Sequence, residues 1–180
     1  MKKQIDSVST YIILFFAASA IGWLWEAALY LIRDGILYNR GFLYGPWLPV
    51  YGTGAVFISL LLKHRVQSTR LYTFLSTALL GTATELCIGW FLDHVWKRRY
   101  WDYTGLCLNI NGYVCLWSFL GFGIAGTLWL RFFAPKLSYF WRKLSAHFQR
   151  TFLTILLILF LFDCAAALIF PNSGMNIIFG

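Results

Sequence analysis

Glu26 and Glu85 are the residues in this chain best placed to do chemistry. Each is an isolated acid inside a long apolar run, and an arginine follows each at the same interval, Arg40 after Glu26 and Arg99 after Glu85. An acidic side chain at membrane depth costs about 2.5–3.5 kcal/mol on insertion scales, so by default it marks a functional site and needs a partner. A carboxylate beside a guanidinium can bind a polar solute. It can also serve as a general base while the arginine holds a phosphate. Each glutamate has a glycine four residues earlier, Gly22 or Gly81, on the same helix face. A missing side chain there lets another backbone approach closely, so both carboxylates are expected at helix junctions. The arginines are their nearest candidate partners.

Further polar and aromatic groups lie in the connecting stretches. Asn39, Arg40 and Tyr44 precede the second apolar segment, while Arg99, the triplet Trp101-Asp102-Tyr103, and Asn109 with Asn111 precede the fourth. Together with Glu26 and Glu85 they make a candidate polar pocket with Trp101 as a stacking wall, in one shared hollow near the outer leaflet. The alternative is two buried Glu–Arg pairs that only fix helix register. Asp163, in the middle of the last apolar run, reads as a neutral acid hydrogen-bonded to a neighbour, the alternative being a proton-path residue. The histidines and cysteines show no metal-ligand spacing, and no cofactor is expected. Cys107 and Cys115 flank a connecting loop.

The elements that position these groups are membrane helices. The 180 residues are 59% hydrophobic and only 12% charged, against about 25% charged in soluble domains. A crossing needs about 20 mostly apolar residues, which Thr10–Ile32, Leu71–Leu92, Tyr113–Phe133 and Thr151–Phe170 supply. A fifth segment, Pro46–Leu62, is shorter and follows a run dense in glycine and proline from Asn39 to Gly54. Both residues disfavour regular helix, and irregular backbone at membrane depth must be buried in protein or line a cavity. The expected fold is therefore all-α: a polytopic membrane helix bundle of about five segments, the second broken or re-entrant. Interrupted segments of this kind point to binding sites in transporters.

The net charge of +8 sits in short clusters between apolar runs, which sets orientation and does not read as a nucleic-acid surface. With five crossings, ten of the fifteen Lys and Arg fall on the N-terminal side, which places the N-terminus in the cytoplasm and the C-terminus outside the cell membrane. Residues 135–150, rich in basic and aromatic side chains, read as an interfacial amphipathic segment on anionic lipid, and residues 151–180 as a last helix with a short tail. Laid on itself at an offset of 59, the chain matches Gly22 with Gly81, Glu26 with Glu85, Asp34 with Asp93, Arg40 with Arg99 and Tyr44 with Tyr103. This suggests a two-helix repeat over about 22–44 and 81–103.

The motifs Gly22-Trp23-Leu24-Trp25-Glu26, Asn39 to Gly54, Glu85, Trp101-Asp102-Tyr103, and Asn109-Ile110-Asn111-Gly112 through Cys115 and Ser118 resemble the type IV ABC-transporter permease family of bacterial membrane proteins. The resemblance covers roughly residues 10–134, and residues 1–134 are taken as the family-like core. The chain departs from the family pattern at Tyr113, where a basic residue is expected. The resemblance implies a permease-like subunit passing or binding a small solute. No G-x-x-x-x-G-K-[ST] occurs, so a separate ATPase subunit would dock on cytoplasmic loops, with Lys63–Arg70 and Arg131–Arg150 as candidates. Five segments are few for a complete path, which makes a homo-oligomer or a partner subunit an expectation. The competing functions are a membrane-embedded enzyme acting on lipid or envelope precursors and a non-transport scaffold.

Overall fold

The computed structural model describes residues 8–39, 41–62, 69–95, 97, 99, 101–170, 172 and 176–177. The fold is all-helical, with helices α1 (Val8–Asp34), α2 (Pro49–Leu62), α3 (Arg70–Val95), α4 (Leu116–Leu128), α5 (Ala134–Lys143) and α6 (Ala146–Ile169). A π-helical turn, Trp129–Phe133, joins α4 to α5, so Leu116–Lys143 runs as one helix. Among the described residues, four helices are long and apolar enough to cross a membrane: α1, α3, the α4–α5 helix and α6. This is a multi-pass membrane protein. At 1.5 Å per residue the 14 residues of α2 reach only about 21 Å, short of the roughly 30 Å of hydrocarbon. The broken second segment thus takes the expected form, an irregular entry followed by a short helix.

The basic stretch of residues 135–150 is shared between two helices. Its first part ends the α4–α5 helix and its last part opens α6, with Leu144 and Ser145 between. The reason is local, because the Ser145 hydroxyl accepts the Phe148 amide at 3.2 Å and caps a new helix.

The chain forms two compact units, Met1–Val56 with Lys136–Gly180, and Phe57–Pro135. In the first unit, α1 packs on the start of α2 through small residues. A Cβ on Gly22 would collide with the Tyr51 ring, and one on Gly52 would lie 2.6 Å from the Phe15 carbonyl. Phe160 of α6 packs edge-on against Phe15, Phe16 and Trp47 with centroids 5.5–5.9 Å apart. Ile13, Trp141 and Leu153 form a buried cluster. Strands β1 (Tyr38–Asn39) and β2 (Asn176–Ile177) pair antiparallel.

In the second unit, α3 carries a row at four-residue spacing: Thr73, Thr77, Gly81, Glu85, Gly89 and Asp93. Along a helix with 3.6 residues per turn such a row drifts about 40° per step, so a straight partner cannot follow all of it. Helix α4 covers the lower part. Thr77 donates to the Gly123 carbonyl at 3.3 Å, and Gly81 leaves room for the Phe122 ring. The loop before α4 covers the upper part, with Trp101 and Tyr113 against Gly89. At the far end of the row, Arg131 donates to Thr73 at 3.1 Å, and Trp129 reaches Ser59 at 3.1 Å.

The two helix pairs have the same internal contacts. Gly22 meets Tyr51 as Gly81 meets Phe122, and Gly52 meets Phe15 as Gly123 meets Phe74. The first helices correspond at an offset of 59. The second helices, and the left-handed glycines Gly41 and Gly112 that precede them, correspond at 71.

Candidate functional site: two glutamate–tyrosine pairs

Within the first unit, Glu26 is half-buried in α1 and accepts the Tyr51 hydroxyl at 2.5 Å. The glycine one turn earlier is what brings Tyr51 so close, since a side chain at position 22 would exclude its ring. Arg40, the expected partner, lies outside the described residues. Asn39 is buried and acts as a brace, accepting the Trp23 indole N–H at 2.8 Å and donating to the Tyr44 carbonyl at 2.8 Å. The Tyr44 hydroxyl donates to the Phe170 carbonyl at 2.6 Å.

Asp163 holds this irregular segment in place. Its carboxylate accepts the Tyr44 amide at 2.9 Å, the Gly45 amide at 2.8 Å and the Trp47 indole N–H at 2.7 Å. All three partners are donors, so the Asp163 carboxyl group is their shared acceptor. Asn172 adds a bond to the Leu43 carbonyl at 3.0 Å. The broken backbone thus meets the requirement that polar groups at membrane depth find partners.

Within the second unit, Glu85 is half-buried and its Oε1 accepts the Tyr103 hydroxyl at 3.0 Å. Its Oε2 is buried and accepts no hydrogen bond. The Ser118 hydroxyl approaches the same carboxylate and lies 3.0 Å from the Cys115 carbonyl, to which it donates. The Thr82 hydroxyl, one turn earlier on α3, is likewise buried without a hydrogen bond.

Arg99 does not pair with Glu85 as expected. It sits past the end of α3, where Asp93, two turns beyond Glu85, is within reach. Its Nη2 binds Asp93 at 3.1 Å and the Asn111 carbonyl at 3.0 Å, its Nη1 lies 3.3 Å from Asp102, and its guanidinium stacks 4.8 Å from the Tyr113 ring. Tyr113 also donates to Asp93 at 2.8 Å. Asp102 accepts the Thr104 hydroxyl at 2.6 Å and its amide at 2.9 Å. These two bonds, with Arg99 beside them, hold the Asp102 carboxyl below the usual carboxylate range.

Trp101 lies over Gly89 and donates to the Tyr113 carbonyl at 2.8 Å. Asn109 donates to the Leu106 carbonyl at 2.8 Å and accepts the Gly112 amide at 3.3 Å. Gly112 adopts φ +72° tight against Asp102 and Thr104, where no side chain would fit.

The structure thus brings together Glu85 with Tyr103, and Arg99 with Asp102 and Asn111. Sequence reasoning missed Tyr51, the partner of Glu26. Its signal was a hydroxyl near the start of the broken segment's helix. No group of three or more metal-ligating side chains occurs among the described residues. Cys107 and Cys115 are free thiols. The latter caps α4 in a reciprocal arrangement with Ser118.

No curated protein and no solved structure matches the chain. Residues 13–168 match the family described as Putative ABC-transporter type IV. The match runs past residue 134 and through most of α6, so the helix carrying Asp163 lies inside the family region. With most of its length covered, this multi-pass membrane protein belongs to that ABC-transporter-type family.

Proposed function

We propose that the protein is a permease-like membrane subunit that binds or passes a small solute, with Glu26 and Glu85 as solute-contacting groups. The observation that carries this reading is the Glu85 carboxylate. One oxygen is held by Tyr103, and the other is buried and makes no hydrogen bond within the described geometry. Buried polar atoms are nearly always hydrogen-bonded, so an exception calls for a reason. A solute bearing an N–H or O–H donor would provide the missing bond. Family membership supports an association with a separate ATPase subunit. The turn at Leu144–Ser145, flanked by Arg142, Lys143 and Arg150, is a compact basic feature for it to engage. The charge distribution supports a cytoplasmic N-terminus on a path that counts α2 as a crossing. The shared contact pattern of the two helix pairs supports a duplicated two-helix module.

The test is uptake or binding of radiolabelled small amines, organic cations and polyols by proteoliposomes carrying the purified protein with any ATPase that co-purifies. Glu85→Gln and Glu26→Gln are expected to abolish handling of the responsive solute while the protein stays folded. Normal handling by both variants would end the proposal.

A second reading is favoured by Arg99. It binds Asp93, Asp102, the Asn111 carbonyl and the Tyr113 ring together, which suits an architectural latch. Glu26→Gln and Glu85→Gln would then change stability and leave solute handling intact.

A further inference from the structure

The loop between α3 and α4 is folded, yet it presents its largest apolar side chains outward. Leu106 is 43% exposed, Leu108 74% and Ile110 53%, and Trp117 on the first turn of α4 is 65% exposed. Its backbone is closed on itself. The Tyr103 amide donates to Gly112, Leu106 to Tyr103, Asn109 to Leu106, Ile110 to Val114 and Leu116 to Cys107, at 2.8–3.3 Å. Leu108 at the tip adopts φ +52°, a left-handed conformation rare for leucine. The loop's own internal bonds therefore fix which side chains point outward.

Charge is distributed with a sharp edge. Asp93, Lys97, Arg99 and Asp102 precede the loop, whereas from Tyr103 to Leu130 there is no Asp, Glu, Lys or Arg. A loop in bulk water would gain nothing from three exposed aliphatic side chains and no charge. At the membrane interface it would bury them, and the amides of Tyr103, Leu106, Asn109 and Ile110 are already bonded within the loop.

We propose that residues 104–110 form an apolar wedge seated in the lipid interface, with Leu106, Leu108 and Ile110 as its lipid contacts. Lipid is the occupant because the ends of the two helices that the loop joins also present large apolar side chains outward. Trp90, Phe91 and Val95 are exposed on the last turns of α3, as is Trp117 at the start of α4. Trp90 stacks on His94 with centroids 4.8 Å apart, an aromatic and polar pair of the kind that sits at headgroup level. The absence of charge gives a soluble protein partner no ionic anchor. The wedge ties the outer latch around Arg99 to the bilayer, independently of any solute.

Cys107 sits inside the wedge and is exposed, which provides the test. In the Cys87→Ala, Cys115→Ser, Cys164→Ala background, Cys107 carries an environment-sensitive fluorophore in vesicles of phosphatidylethanolamine and phosphatidylglycerol. Brominated lipid is expected to quench most of its emission and aqueous iodide little of it, and Leu108→Asp to reverse that order. Quenching by iodide alone would overturn the proposal. The unaltered protein provides a second measurement should the cysteine variants not fold. Mass spectrometry is expected to find Cys107 modified by a lipophilic maleimide and spared by a charged one. Equal modification by both would overturn the wedge.

Discussion

The carboxylate of Asp163 accepts the backbone N–H of Tyr44 at 2.9 Å, joining residues 119 apart and fixing the irregular segment to the last long helix. Two more N–H groups share that carboxylate, so one acid orders a stretch of chain that has no helix or strand of its own.

Asp163→Ala leaves two amides and an indole N–H without their acceptor. Each unsatisfied buried donor costs about 1–3 kcal/mol, so a total loss above about 3 kcal/mol is expected, with Asp163→Asn losing less. Tyr44→Phe removes only an exposed hydroxyl contact to the Phe170 carbonyl and should cost no more than about 1 kcal/mol. Thermal unfolding of the three variants in mild detergent checks the order. Equal midpoints for Asp163→Ala and the unaltered protein would refute the anchoring role.

Two glycines on α4 should respond oppositely to alanine. At Gly121 a Cβ meets nothing within 4 Å, and alanine favours helix over glycine by roughly 0.5–1 kcal/mol, so Gly121→Ala is neutral or stabilising. At Gly123 a Cβ would lie 2.6 Å from the tip of the Phe74 ring, and overpacking of that kind costs about 1–3 kcal/mol. Unfolding midpoints of the pair measure the difference directly.

Glu85 and Tyr103 should be energetically coupled. Hydrogen bonds to charged groups contribute about 1.5–3 kcal/mol. A double-mutant cycle of Glu85→Gln and Tyr103→Phe is expected to give a coupling of at least about 0.5 kcal/mol. The same cycle on Glu26 and Tyr51 tests the equivalent bond in the first unit. Additive effects in both cycles would show that neither hydrogen bond contributes.

Acid should loosen the loop that begins at Asp102. Its carboxyl is held below the usual range by the Thr104 hydroxyl and amide and by Arg99. A group depressed on folding stabilises the fold fully above its unfolded value of about 3.9 and loses that contribution as pH falls through the folded value. Hydrogen exchange at the Thr104 amide should therefore keep its protection down to about pH 5, beyond the intrinsic change in exchange rate. Protection should fall only below about pH 3.9, and Asp102→Asn should abolish that acid dependence.

The membrane helices were legible from length and apolar content alone, because hydrocarbon thickness sets both. The short α2 was legible from its glycines and prolines. The partners were not. Glu85 and Arg99 read as a pair because opposite charges are scarce in this chain, yet Arg99 bonds to Asp93 and Asp102 while a tyrosine hydroxyl reaches the glutamate. The offset of 59 matched the first helices of the two pairs and their glutamates. It failed for the second helices, whose contacts correspond at 71, because the second connection is longer by the difference. On that correspondence Tyr44 is not the counterpart of Tyr103.

Sequence alone settled that this chain crosses a membrane and which apolar runs supply its long helices. Those properties depend on local composition against a solvent of fixed thickness. Tertiary structure decided which donor each carboxylate received: Tyr51 for Glu26, Tyr103 for Glu85, and the Tyr44–Trp47 segment for Asp163. A hydrogen bond is short and directional, so its partner is fixed by how helices and loops pack across separations that no local pattern in the chain records.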